Sequence, residues 1–223
     1  MRVLVYGATG MVGQGVLREC LRDDRVAAVV TVGRRATGEP HPKLREIVVP
    51  DPADPGEPLA GYDACFYCLG VSSTGRSEQA YRAVTYDLTL AVAGPLAREN
   101  QQMAFVYVSG RGTDSTGRSR MMWARVKGEA ENAVLALPFQ GYAMRPGIIQ
   151  PMHGITSRTG WYRAAYAITR PLYPLAFRIP ALAATTTERL GWAMIQIGLA
   201  GSPKRVLEAA DINELADAYE AGR

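Results

Sequence analysis

The stretch Arg2-Val3-Leu4-Val5-Tyr6-Gly7-Ala8-Thr9-Gly10-Met11-Val12-Gly13 joins a short β-branched apolar run to glycines at every third position. Immediately after it, Val12, Val16 and Cys20 recur at helical intervals, so the segment reads as strand, glycine turn and amphipathic helix. Ordinary strand-to-helix turns seldom use glycine at all these positions. Here glycine allows a turn with positive φ, a close approach of backbone to ligand, and tight packing of helix on strand. The helix N-terminus then offers unpaired N–H groups and a positive dipole end, which suits a phosphate.

Working outward, residues 26–32 form a second apolar run ending at Gly33-Arg34-Arg35, and residues 44–49 a third; both are expected to be parallel strands buried on two faces. Residues 51–58 are a Pro/Asp loop, and residues 63–69 a fourth strand that ends at Gly70-Val71-Ser72-Ser73. Helical spacing of Tyr81, Val84, Leu88, Val92 and Leu96 predicts a helix over 78–100. Residues 103–108 give a fifth strand stopping at Ser109-Gly110, residues 121–137 another helix, and residues 139–144 a sixth strand halted by Arg145-Pro146-Gly147. This alternation predicts an α/β fold, a Rossmann-like doubly wound parallel sheet with its ligand crevice beyond the C-terminal ends of the strands. After Pro151 the pattern dissolves into Arg, Pro and aromatics before recovering as a helix over 187–199 and a closing segment over 205–219. Residues 1–223 therefore read as one domain, with about 150–184 as a substrate-side insertion or lid.

Composition agrees with a globular domain. With 223 residues, 48% hydrophobic and 21% charged, the chain is neither disordered, collagen-like nor coiled coil, and it is long enough to bury roughly 70% of its unfolded surface. The net charge of +4 is spread along the chain, which argues against nucleic acid as a partner. The basic residues comprise 22 Arg and only 3 Lys, at positions 43, 127 and 204, so each lysine stands out. Cys20, Cys65 and Cys68, without an N-terminal apolar signal region, point to a reducing, cytoplasmic setting. Cys65 and Cys68 form a C-x-x-C inside an apolar strand, where alternation sends them to opposite faces as buried small hydrophobes rather than metal ligands. Charge-free stretches such as 190–203 are too short for the roughly 20 residues of a transmembrane helix; no metal site is expected.

In its strand–turn–helix context the glycine pattern predicts dinucleotide binding by the backbone of Gly7, Thr9, Gly10, Met11, Val12 and Gly13. Some 20 residues further on, the position that reads the ribose 2′ group holds Arg34 and Arg35, with no acid until Glu39, which favours NADP while leaving NAD open. The alternative is that both arginines are a solvated strand end in an arginine-rich chain.

The glycine motif, the strand ending Cys68-Leu69-Gly70, Tyr107-Val108-Ser109-Gly110, Lys127 in the next helix and Arg145-Pro146-Gly147 after the sixth strand together resemble the short-chain dehydrogenase/reductase superfamily, in its atypical and extended, epimerase/dehydratase-like branch. The likeness covers about the first 150 residues. It implies cofactor contacts at Leu69, Gly70, Val71, Pro146, Gly147 and Ile148, with Ser72 and Ser73 either near ligand hydroxyls or satisfying a turn. It also implies a catalytic Ser, Tyr and Lys: the Tyr as acid/base, the Lys lowering its pKa and holding the nicotinamide ribose, the Ser fixing the substrate oxygen. Ser109 matches the serine and Lys127 the lysine, but Trp123 stands at the tyrosine position, and no Tyr lies in residues 121–137. Indole N–H donates only and cannot shuttle a proton. Lys127 keeps a role as a compact ammonium on the ribose; alternatively it is a solvent-facing residue paired with Glu131 at i+4.

Three readings of Trp123 compete. In the first, an enzyme handles the proton through Tyr86, Tyr67, Tyr162, Tyr166 or a water. In the second, the hydride acceptor, quinone-like or flavin-like, needs no side-chain acid. In the third, the protein is catalytically silent and senses NADP(H) as a regulator or scaffold. An NAD(P)-dependent oxidoreductase or epimerase-like enzyme acting on a small molecule leads, with a homodimer or a partner protein left open. His153 reads as structural. Trp161, Tyr162, Tyr166 and Tyr173 with Arg158, Arg163 and Arg170 suggest a cationic aromatic pocket, a lid or a dimer surface.

Overall fold

The computed structural model describes residues 1–155 and 183–222. Strands β1 (Arg2–Tyr6), β2 (Ala28–Gly33), β3 (Leu44–Val48), β4 (Ala64–Tyr67), β5 (Ala104–Val108), β6 (Gln140–Arg145) and β9 (Val206–Glu208) form one parallel sheet in the order β3-β2-β1-β4-β5-β6-β9. The order reverses between β1 and β4, the place where such sheets open a crevice. Tyr6 pairs with Tyr67, so these two strands end level and the turn at Gly7 lies against Cys68. A separate parallel pair joins β7 (Ile149–Gln150) to β8 (Thr185–Thr186).

Alternation along the strands divides the core in two. Val3, Val5, Phe66, Val106 and Met144 pack on one face with Val16 and Cys20 of α1 (Met11–Arg22), Met194 of α5 (Thr187–Ala200) and Ile212 of α6 (Ala209–Ala221). Leu4, Tyr6, Tyr67, Phe105 and Tyr107 pack on the other with Val92 and Leu96 of α3 (Leu88–Glu99) and Val134 of α4 (Met122–Leu135). Cys65 belongs to the second cluster and Cys68 lies against the first, the opposite-face placement that strand alternation demands. All three cysteines are free thiols.

Two features depart from the sequence reading. β3 is not buried on two faces: it is an edge strand of intermediate and exposed residues, and the segments on either side of it, 34–43 and 49–63, contain no helix to cover it. The helix expected over 78–100 runs unbroken from Glu78 to Glu99 but contains a π turn (Ala83–Asp87) between α2 (Glu78–Arg82) and α3, with Ser77 capping its start and Pro95 inside its last stretch. The closing segment resolves into β9 and α6, completing the sheet. Helices α1 and α5 touch through glycines: a side chain at Gly15 would begin 2.8 Å from the Thr187 carbonyl oxygen, and one at Gly191 would meet Glu19 at 2.8 Å.

Candidate functional site

A cavity of about 870 Å³ opens at the C-terminal ends of β1, β4, β5 and β6. Gly10, Met11 and Val12 line it from the glycine turn, Leu69, Gly70, Val71 and Ser72 from beyond β4, and Ser109, Gly110, Arg111 and Gly112 from beyond β5. Trp123 and Lys127 enter from α4, and Pro146, Gly147 and Ile148 from beyond β6. Its volume falls among the roughly 300–1,000 Å³ typical of small-molecule sites.

The glycines divide their work. Gly7 has φ of +78°, and a side chain there would begin 2.6 Å from the Cys68 carbonyl carbon; one at Gly13 would begin 2.1 Å from the Gly7 oxygen. Both are therefore fixed by packing and lie outside the lining, while Gly10 faces the cavity. Gly10 caps α1 without a side-chain bond, no acid occupies the first turn, and the first backbone bond back to it is from the Gln14 N–H at 2.8 Å. The N–H groups of Met11, Val12 and Gly13 thus have no partner within the helix, a cradle that fits a pyrophosphate.

Other sequence-predicted residues lie elsewhere. Thr9 lines a second cavity, about 670 Å³, with Gln14, Arg18, Thr37, His41 and His153. Arg34 and Arg35 line neither; they are exposed at the end of β2 and make no hydrogen bond or ion pair among the described residues. Ser73 lies outside the lining as well. Tyr67 is sealed in the core, where burial raises its pKa, and Tyr86 lies under the Arg82 guanidinium rather than at the cavity. Both are thereby removed as stand-ins for the missing acid. His153 pairs with Glu188 at 2.8 Å. Tyr162, Tyr166 and the aromatic segment from Arg158 to Tyr173 lie outside the described residues.

The wall formed by α4 depends on the loop before it. Gly110 and Gly112 carry φ of +147° and +85°, and the Trp123 indole packs 3.1 Å from where a Gly112 side chain would begin. The loop then crosses α4 so closely that a side chain at Gly128 would begin 1.9 Å from the Asp114 carbonyl oxygen. Asp114 ties the loop, accepting from the Thr116 hydroxyl and N–H and, at 2.6 Å, from the Ser119 N–H; these bonds hold its carboxyl down at about 2.

Below the loop lies a buried carboxylate. Glu131 is 0% exposed and accepts from the Ser109 hydroxyl, from Arg145 Nε at 3.0 Å and Nη2, and from the Ser115 hydroxyl at 3.1 Å. The Ser109 hydroxyl also lies 3.0 Å from the Met144 carbonyl, so the side chain expected to hold a substrate oxygen is engaged on the core side. Lys127 donates from Nζ to the Ser109 carbonyl oxygen. It is half-buried at the cavity wall, and burial pushes its ammonium down to about 8, with Glu131 opposing that shift. The surface-pair alternative is therefore corrected: Lys127 does not face open solvent, and the cation bound to Glu131 is Arg145. The sequence reading missed Glu131 as a buried group, although its place three residues from both Gly128 and Val134 put it on the inward face of α4.

The closing comparisons fit this geometry. No protein-family model matches the chain. It is 31% identical over 154 residues to the mitochondrial protein FMP52 of Eremothecium gossypii, covering 67% of this chain and 66% of that protein. It is 30% identical over 153 residues to protein HTATIP2 of Rattus norvegicus, covering 66% and 62%. The chain thus spans just under two thirds of the length of these curated relatives. Among solved structures, the Bordetella bronchiseptica enzyme WbmF in complex with NAD+ superposes with a TM-score of 0.66 at 16% identity, over 99% of this chain and 77% of that one. Helicobacter pylori ADP-L-glycero-D-manno-heptose-6-epimerase gives 0.67 at 15%, over 99% and 81%. At such identities the structural matches speak for the fold, while the relatives carry the kinship. The chain thus has the NAD(P)-binding Rossmann fold of short-chain dehydrogenase/reductase and epimerase structures, with FMP52 and HTATIP2 as homologues.

Proposed function

We propose that this chain binds NADP(H) in the large cavity and works as an oxidoreductase on a small carbonyl or alcohol. One observation carries the reading: the unpartnered N–H groups of the glycine turn, the Leu69-Gly70-Val71 edge, Lys127 and the Pro146-Gly147-Ile148 passage converge on a single cavity. Bound cofactor supplies or accepts the hydride. The N–H groups of Met11, Val12 and Gly13 hold its pyrophosphate. Arg34 and Arg35, exposed cations at the end of β2 that have no partner among the described residues, receive the 2′-phosphate, and Lys127 reaches the ribose. Trp123 donates its indole N–H to the substrate oxygen.

A second reading, a catalytically silent NADP(H) sensor, draws its support from Trp123 and from the engagement of the Ser109 hydroxyl by Glu131. The three free thiols support a reducing compartment, and the cytoplasmic setting rests on that alone.

Purified protein titrated with NADPH, followed by oxidation assays against aldehydes, ketones and quinones, tests both. Binding with turnover is expected for the enzyme and binding without turnover for the sensor. Failure to bind NADPH defeats both.

A further inference from the structure

Resting on the reductase reading of the cavity, we propose that Lys127 is the acid that protonates the oxygen of a carbonyl substrate. Among the described residues that line the wall the other candidates fall away, the Ser72 hydroxyl because it donates to Thr74 and is no acid near neutral pH. Trp123 can donate a hydrogen bond but cannot give up its proton. The Ser109 hydroxyl is bound to Glu131 and close to the Met144 carbonyl. The Cys68 thiol is held up at about 12 by burial, and Arg111 keeps its proton as guanidinium does. Lys127 remains, with three N–H groups of which the Ser109 carbonyl takes one. It follows Trp123 by one helical turn on the same face of α4, so both side chains address one region of the cavity.

The surroundings suit the task. The two nearest carboxylates on its own helix are both taken, Glu129 by Arg82 and Glu131 by Arg145, and Arg111 adds positive charge to the same wall. Burial, opposed only by Glu131, leaves the ammonium near 8, where it both holds and releases a proton close to neutral pH. An arginine, the usual basic residue of this chain, could not do so.

The step balances as follows. A C–H bond forms at the carbonyl carbon with the hydride from reduced cofactor, which leaves oxidised. The C=O π pair moves to oxygen, oxygen takes a proton from Nζ, and solvent reprotonates the neutral amine. Reduction thus requires the charged lysine, so its kcat/KM falls above about pH 8; the reverse oxidation requires the neutral amine and rises through the same range.

The scarcity of lysine makes the test direct. Protein labelled with 13C at lysine Cε carries signals from three side chains only. In unliganded protein one signal, absent from Lys127→Arg, is expected to titrate near pH 8. Lys127→Arg should reduce carbonyls about 100-fold more slowly or worse at saturating NADPH, while quinone reduction, which needs no acid, falls less than about tenfold. Should arginine not pack there, Lys127→Ala gives the same reading, with part of the rate restored by added methylamine. A Lys127 signal unmoved below about pH 10, or carbonyl reduction by Lys127→Arg close to the wild-type rate, overturns the proposal. So does NADPH binding with no carbonyl turnover by the wild type, which leaves the cofactor reading standing; absence of NADPH binding overturns both.

Discussion

Replacing Glu131 by Gln keeps shape and removes one charge, which makes it a clean probe of the network beneath the cavity. The carboxylate accepts from both Ser109 and Arg145 at one oxygen and from Ser115 and Arg145 at the other, so an amide in its place sets an NH2 group against a donor that cannot turn into an acceptor. Breaking a buried ion pair by removing one partner costs about 3–5 kcal/mol. The lower end applies, because Arg145 keeps Glu208 at 3.2 Å and its own side chain is 15% exposed. A loss of about 3 kcal/mol at about 2–4 °C per kcal/mol lowers Tm by about 6–12 °C. Because Glu131 favours the charged form of Lys127, the same substitution should also move the Lys127 titration below its present value of about 8. Thermal unfolding by circular dichroism measures the first effect and lysine NMR the second. A Tm within about 2 °C of the wild type would refute the argument that this pair is desolvated and structurally committed.

Other outcomes follow from the same geometry. Lys127→Met should be more stable than the wild type by about 2 kcal/mol at pH 7: an ammonium held near 8 instead of 10.5 opposes folding by about 3 kcal/mol, against about 1 for the lost bond to Ser109. Since the unfolded chain binds more protons than the folded one between these values, urea unfolding should show the advantage shrinking as pH rises from about 8 through 10.5. Gly128→Ala should lower stability by more than about 2 kcal/mol, since its new carbon meets the Asp114 carbonyl rather than a movable side chain; equal urea midpoints would count against the crossing described. Replacing Arg34 and Arg35 together by Ala should weaken NADPH binding about tenfold or more and leave NADH nearly unchanged, read by fluorescence titration. Equal wild-type affinities for the two cofactors would remove the basis for NADP.

The parts legible in the sequence are those where one residue type answers one local demand. Gly7 and Gly13 mark a turn that no side chain fits, and apolar runs stopping at Gly or Ser mark strand ends, so the sheet and most of the cavity lining could be read directly. Legibility fails where the decisive partner is distant. β3 reads as a strand buried on two faces, yet it ends the sheet, pairs only with β2 and has no covering helix in the segments beside it. Three residues of β9 are too few to show a period. Thr9, next to Gly10 in the same turn, lines the other cavity, a difference of direction that only the folded backbone reveals. Glu131 looks like a surface partner for Lys127 until Arg145, brought in by β6, claims it.

That last contact bears directly on the role proposed for Lys127. Were Lys127 bound to Glu131, the carboxylate would hold its proton and the helix would present only a fixed cation to the cavity. Arg145 takes the carboxylate instead, and Glu131 in turn takes the Ser109 hydroxyl, so the serine and the acid are committed to supporting the wall while the lysine is left with a neutral carbonyl as its partner. A neutral partner favours the ammonium less than a carboxylate does, and burial then works on it with less opposition. Trp123, from the same helix, packs over Gly112 and lines the cavity beside Lys127 with an apolar ring that still offers one N–H. On the proposal made above, Trp123 and the environment of Lys127 then belong to one device, in which the proton donor is an amine one turn along α4 from the indole.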